Sequence, residues 1–257
     1  MTAGPRRATS TGLVCSLVLT LAACGGSAPS AQHSPSTVAS STVEPSITTI
    51  GREDRRLDAG TYRLDLHQLA GGGTEFPAFK VTVPDGWNTL DGWILNRPRA
   101  SEDIPPVAVQ FWDVDQVYGH PCEWSGTLFQ PGPTVDDLAE ALIDVPLRNA
   151  TQPIDVTLDG HAGKYLEWSV PVNIEMDEQG DFLDCDLTYD GHRDFKSWTG
   201  KGWSSNRYQQ GPGQVDRLWI LDIDGARLVI DAFSMPYATS NGREELLAVV
   251  ESIRFER

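Results

Sequence analysis

Basic residues are scarce in this 257-residue chain: 20 Lys and Arg stand against 36 Asp and Glu, for a formal charge of −16. Such a surface repels nucleic acid and anionic headgroups, which excludes nucleic acid as a partner. No apolar run reaches the ~20 residues that a membrane-spanning helix needs; the run from Leu13 to Ala23 has 11. The usual catalytic signatures are missing as well. There is no Gly-x-Ser-x-Gly elbow and no His-Glu-x-x-His, and "WTGKGW" (198–203) lacks the first glycine of a phosphate loop and the hydroxyl residue after Lys201. Neither a cofactor nor a resident metal is implied. No internal repeat occurs, and no second Pro/Ser/Gly-rich linker follows residue 57.

What is present begins with an address. Arg6 and Arg7 precede the apolar run, which is short enough for the h-region of a secretory signal and ends in Leu21-Ala22-Ala23-Cys24. This tetrapeptide resembles the bacterial lipobox, which implies cleavage before a lipid-modified Cys24. Each buried methylene contributes ~0.8 kcal/mol, so a multiply acylated Cys24 is a stable anchor to the extracytoplasmic face of the cell membrane. Residues 1–23 thus read as a lipoprotein signal peptide and 24–57 as the lipidated cysteine with a Ser/Thr/Pro-rich tether. Residues 58–257 read as one globular domain. Losing Arg6 and Arg7 would take the charge from −16 to −18.

The four cysteines then reduce to two. Cys15 leaves with the signal and Cys24 is alkylated, so Cys122 and Cys185 are expected to pair in an oxidising compartment. The "VYGHPCEWSG" stretch (118–127) also suggests a zinc site from His120, Cys122, Cys185 and His192, but no pair has the spacing that recurs in structural sites. A Cys-His nucleophile would need Cys122 to stay a free thiol.

Two Asp-Gly pairs between β-rich runs predict hairpins. A two-residue turn at Asp224-Gly225 sets Asp222 opposite Arg227 and gathers Trp219, Leu221, Ile223, Leu228 and Ile230 on one face. A turn at Asp159-Gly160 sets Asp155 opposite Lys164, with a bulge expected at Gly163. Residues 78–87 and 106–114 read as further strands. Thr134 is expected to cap a helix with the stripe Val135, Leu138, Ala139 and Leu142, and Ser240 or Asn241 a helix with Leu246, Val249, Val250 and Ile253. A short strand from Ile253 to Glu256 follows. The expected class is α+β, a single antiparallel β-sheet with helices packed on it.

The order of these elements, with "VPDGW" (83–87), "LDGHAGKYLEW" (158–168) and the terminal "VVESIRF" (249–255), resembles actinobacterial lipoproteins with a PsbP/Mog1-like α/β/α sandwich. That resemblance spans roughly residues 60 to 257, with 171–214 standing apart as an insertion. It implies mostly non-catalytic binding or assembly roles at membranes and supplies no catalytic residues.

Three regions carry the candidate chemistry. In 196–214, Trp198, Trp203 and Tyr208 alternate with Lys201, Asn206 and Arg207 without an aliphatic residue, a composition suited to gripping an envelope protein or glycan. Folding back of these tryptophans as lids over the sheet is the competing reading. In 177–191, Asp177, Asp181, Asp184 and Asp186 offer oxygens to calcium, but without EF-hand spacing. Glu123, Glu167 and Asp222 are candidate acids for a secreted glycosidase-like hydrolase, the alternative to a binding or assembly module.

Overall fold

The computed structural model describes residues 47–70, 76–202 and 206–256. Cys24 and Trp203 lie outside the described residues. In chain order the elements are β1 (Thr48–Thr49), β2 (Arg55–Leu57), β3 (Gly60–Leu64), α1 (Leu66–Leu69), β4 (Phe79–Val83), β5 (Trp87–Leu90) and β6 (Ile94–Arg99). Next come β7 (Glu102–Trp112), β8 (Val114–Tyr118), β9 (Leu128–Phe129), α2 (Val135–Ile143), β10 (Ile154–Leu158) and β11 (His161–Ser169). The chain closes with β12 (Lys196–Gly200), β13 (Asn206–Tyr208), β14 (Val215–Ile223), β15 (Ala226–Ser234), α3 (Ser240–Glu251) and β16 (Arg254–Phe255).

These strands form three sheets rather than one. An eight-stranded central sheet runs β10-β11-β14-β15-β7-β6-β5-β2, flanked by a four-stranded sheet β1-β3-β4-β16 and another, β13-β12-β8-β9. Strands take 44% of the described residues and helices 12%, so the chain is mostly β. The expected α+β class, with a single sheet under helices as in an α/β/α sandwich, is therefore incorrect.

The reason lies in the hairpin of β14 and β15. Its register is the expected one, from Ile223 opposite Ala226 outward, but both of its faces are covered. Leu221, Ile223, Leu228 and Ile230 are buried on one face, while Leu218, Ile220, Val229 and Phe233 are buried on the other. Two apolar faces need two covers. On the first face Phe111, opposite Ile230 in β7, meets Phe79 of the first flanking sheet at 4.8 Å, and α3 brings Gly242 over Val107. On the second, Trp198 of β12 lies 5.8 Å from both Trp112 and Trp168, and Trp168 Nε1 donates to the Leu142 carbonyl of α2 at 3.0 Å.

Local signals explain the rest. Asp159 and Asp224 have φ of 47° and 53°, followed by Gly160 and Gly225 near 90°, the left-handed pair that a tight hairpin turn requires. Thr134 caps α2 in a capping box with Asp137. Thr239 caps α3, one residue before the expected Ser240, and β16 is limited to Arg254 and Phe255. Two strands, β1 and β2, fall within the segment assigned to the tether, so ordered structure begins before Asp58. The segment 171–214 contributes β12 and β13 to a core layer and is an integral part of the fold.

Candidate functional site

The seam between β12–β13 and the central sheet holds a buried charge cluster. Arg207 Nε donates to Asp231 Oδ2 at 2.7 Å, and its Nη2 donates to Asp216 Oδ1 at 2.8 Å. Arg148 lies over the rings of Trp168 and Phe195 at 4.5 Å each, 4.0 Å from Asp216, and donates to Ser197 Oγ at 2.6 Å. With its amide turned so that both ends are satisfied, Gln209 donates to Asp216 Oδ2 at 2.8 Å and accepts from Arg148 Nη1 at 3.3 Å. Burial drives the Asp231 carboxyl above its ordinary range, against the pull of Arg207. Burial also lowers Arg148, whereas for Arg207 the two carboxylates outweigh burial and hold it above its ordinary value.

This cluster absorbs two of the six residues expected to form a contact face. Trp198 is 0% exposed and Arg207 2%, so neither can belong to a contact face, and Trp198 folds back over the sheet as the competing reading had it. Their burial follows from β12 and β13 covering the second face of the central sheet. Asn206 and Tyr208 are exposed on the edge strand β13, and Lys201 is exposed beside it. Sequence reading missed Arg148, Asp216 and Asp231. A signal for Asp231 existed: it shares a strand face with Val229 and Phe233, which period two places against the core.

Lys201 leads to a pair of adjoining grooves. One open groove of 620 Å³ is lined by Asp113, Asp115, Gln130, Pro131, Gly132, Lys201 and Arg227, among others. A second, of 510 Å³, is lined by Thr134, Asp136, Asp155, Lys164 and Asp222 and shares Pro133, Gly225, Ala226 and Arg227 with the first. Arg227, opposite Asp222 in register, donates instead to the carbonyls of Gly132 at 2.6 Å, Thr134 at 3.0 Å and Val114 at 3.3 Å. It thereby pins the Gly132–Thr134 segment between the two grooves. Each groove has a lysine between two aspartates. Lys164 Nζ lies 2.6 Å from Asp155 and 3.1 Å from Asp136, and Lys201 Nζ 4.0 Å from Asp113 and 3.8 Å from Asp115. Burial raises the Asp113 carboxyl above its usual range. The expected hairpin at Asp159-Gly160 makes the Asp155–Lys164 pair, but Gly163 carries no bulge. It is needed because a Cβ there would stand 2.1 Å from the Ile220 carbonyl oxygen.

The Cys122 and Cys185 sulfurs are 1.93 Å apart, a disulfide that ties the loop after β8 to the 171–195 segment. His120 Nδ1 accepts from the Glu123 amide at 2.7 Å and the Cys122 amide at 3.3 Å, so the histidine caps this turn. His192 pairs with Asp181 instead, 3.1 Å away. Asp177 Oδ1 accepts the amides of Gln179 and Asp181, both at 2.9 Å, and Asp186 Oδ2 that of Ser125 at 3.0 Å. These carboxylates fold the acidic loop. Among the described residues no three His, Cys, Asp or Glu side chains converge as a metal would need.

The candidate acids do not meet. Glu167 is opposite Arg217 and Trp168 opposite Asp216 in the pairing of β11 with β14. Glu167 therefore lies on the Trp219 face and Asp222 on the reverse. Glu123 lines a different hollow, with Leu147, Pro171 and Asp184. Glu167 accepts from the Tyr165 hydroxyl at 2.5 Å and pairs with Arg217 at 3.3 Å. Neither a protein-family model nor a curated protein matches the chain.

Proposed function

We propose that the protein is a lipoprotein, anchored through acyl chains on Cys24 to the extracytoplasmic face of the cell membrane, that binds or assembles envelope partners without catalysing a reaction. The double groove around Arg227 carries the binding reading. Its lining holds five carboxylates, Asp113, Asp115, Asp136, Asp155 and Asp222, against the three cations Lys164, Lys201 and Arg227. A partner presenting amines, guanidinium groups or other donors suits it, and an acidic one is repelled. The disulfide supports an oxidising compartment. The placement of Glu167 and Asp222 on opposite faces of one sheet weighs against these two acting as the acid pair of a hydrolase, which needs both in one cleft.

Two measurements test this. Mass spectrometry of the N-terminal peptide should find diacylglyceryl on Cys24, and Cys24→Ala should move the protein from the membrane to the soluble fraction. An unmodified Cys24, or an unchanged distribution of the variant, refutes the anchor. Crosslinking in native membranes should recover envelope partners with the wild type and lose them with Asp155→Lys/Asp222→Lys. Full retention by a folded double variant removes the groove as the contact surface.

A further inference from the structure

On its Trp219 face the central sheet leaves side chains of β10, β11 and β14 partly exposed. Phe79, Phe255 and α3 cover that face over β7 and β15, and on β11 the ring of His161 lies 4.8 Å from Phe255. Beyond it, two rows of side chains cross the strands. In one row Ile154, Tyr165 and Trp219 are direct cross-strand neighbours of β10, β11 and β14. Ile154 is 57% exposed; the two rings are partly exposed, with centroids 4.9 Å apart and planes inclined by 57°, and Trp219 also packs on the main core. In the next row Glu167 faces Arg217, with side chains 37% and 20% exposed. Two residues along a strand separate the rows by about 6.6 Å.

The chemistry of the two rows is complementary. Aromatic rings offer flat apolar area with an electron-rich face. The polar row presents a carboxylate, an acceptor with about four lone-pair sites, and a guanidinium with about five donors. Glu167 Oε1 takes the Tyr165 hydroxyl and Arg217 Nε, and Arg217 Nη1 donates to Ser234 Oγ at 3.3 Å. These bonds fix both head groups and leave capacity on each. A ligand that satisfies both rows needs an apolar face of one ring's width, edged by hydroxyls that act as donor and acceptor. Pyranoses with all-equatorial substituents have this shape, because their axial C–H bonds form the flat faces.

We propose that Ile154, Tyr165 and Trp219, with Glu167 and Arg217 beside them, form a binding platform for glycan chains of β-linked, gluco-configured pyranoses. One sugar ring stacks on Trp219, with Tyr165, inclined 57° to the indole, walling its side, while its edge hydroxyls reach Glu167 and Arg217. The proposal rests on the reading of the chain as an envelope binding module and names a ligand class for it, at a face separate from the groove.

The test uses the full-length lipoprotein in a sugar-free detergent, titrated with cellohexaose and chitohexaose by calorimetry and tryptophan fluorescence. Saturable binding of at least one is expected, weakened about tenfold or more by Trp219→Ala or Tyr165→Ala, retained largely by Trp219→Phe, and unchanged by Asp222→Lys in the groove. Ile154→Asp, an exposed change that leaves the core intact, should also weaken it. Binding of neither oligosaccharide by the wild type overturns the platform, as does equal binding by an alanine variant that melts like the wild type. Loss of envelope partners in the groove variant with no sugar binding would sink the platform alone. Sugar binding with an unmodified Cys24 would sink the anchor alone.

Discussion

Arg207 Nε donates to Asp231 Oδ2 at 2.7 Å across the seam between the β12–β13 layer and the central sheet, with both side chains out of water. The bond sits between two layers, so its loss tests whether the 196–214 segment is integral to the fold. Removing one partner of a buried pair strands the other charge, and Arg207→Ala should cost about 3–5 kcal/mol. Arg207→Ala/Asp231→Ala should cost less than the sum of the single changes, because no lone charge remains. Urea denaturation of the four proteins checks this. An Arg207→Ala cost under about 1 kcal/mol would place the segment at a solvated edge.

The same cluster gives stability a pH dependence. Burial, against the opposing pull of Arg207 and Arg148 and with the repulsion of Asp216, raises the Asp231 carboxyl above its ordinary value. The folded protein therefore holds that proton to a higher pH than the unfolded chain does. The resulting stability is fully present below the unfolded carboxyl range, near pH 3.9, and is lost as pH rises through the folded value. Other carboxylates with lowered values, such as Asp137 at its Thr134 cap, act in the opposite direction. Subtracting an Asp231→Asn variant isolates the contribution. Between about pH 4 and 8 the difference in unfolding free energy, wild type minus variant, should fall with rising pH; a flat difference would mean that Asp231 does not titrate there.

Hairpins, their turns and the cap of α2 were legible because each is set locally. Asp224-Gly225 fixed the register of nine residue pairs, and Thr134 fixed the start of α2. The number of sheets was not legible, because an apolar strand face does not say whether a helix or a second sheet will cover it. Trp198 shows the cost: surrounded in sequence by Lys, Ser, Thr and Gly, it reads equally as a surface aromatic or as a lid over the sheet, and it fills the space between Trp112 and Trp168. The grooves were only half visible. The Asp155–Lys164 pairing follows from a turn, but their meeting with Asp136 and Arg227 depends on where α2 docks.

Gly163 offers a sharper test of close packing than the turn glycines do. A Cβ at Gly163 would meet the Ile220 carbonyl at 2.1 Å, whereas one at Gly160 meets nothing within 4 Å but sits at φ +88°. Gly160→Ala should therefore cost about 1 kcal/mol, the strain of a left-handed backbone. Gly163→Ala must separate β11 from β14 and should cost about 2 kcal/mol or more. Thermal melts of the two variants rank them, and a milder Gly163→Ala would mean that the strands part easily there.

The disulfide should matter most for the loops it joins. Closing a loop of 63 residues between Cys122 and Cys185 stabilises by about 4 kcal/mol in the chain-entropy account. Around it cluster Phe182, Phe195 and Val170 in a small core of their own, and the Asp186 amide donates to the Cys122 carbonyl at 2.9 Å. The large core on both faces of the central sheet contains neither cysteine. Cys122→Ser/Cys185→Ser should therefore lower the unfolding midpoint and raise amide exchange first over residues 171–195, leaving β14 and β15 protected until global unfolding. Titration of the wild-type protein, purified without reductant, under denaturing conditions should find neither thiol. Two reactive thiols would return Cys122 and Cys185 to the class of free ligands or nucleophiles, and with them the functional question that His120 first raised.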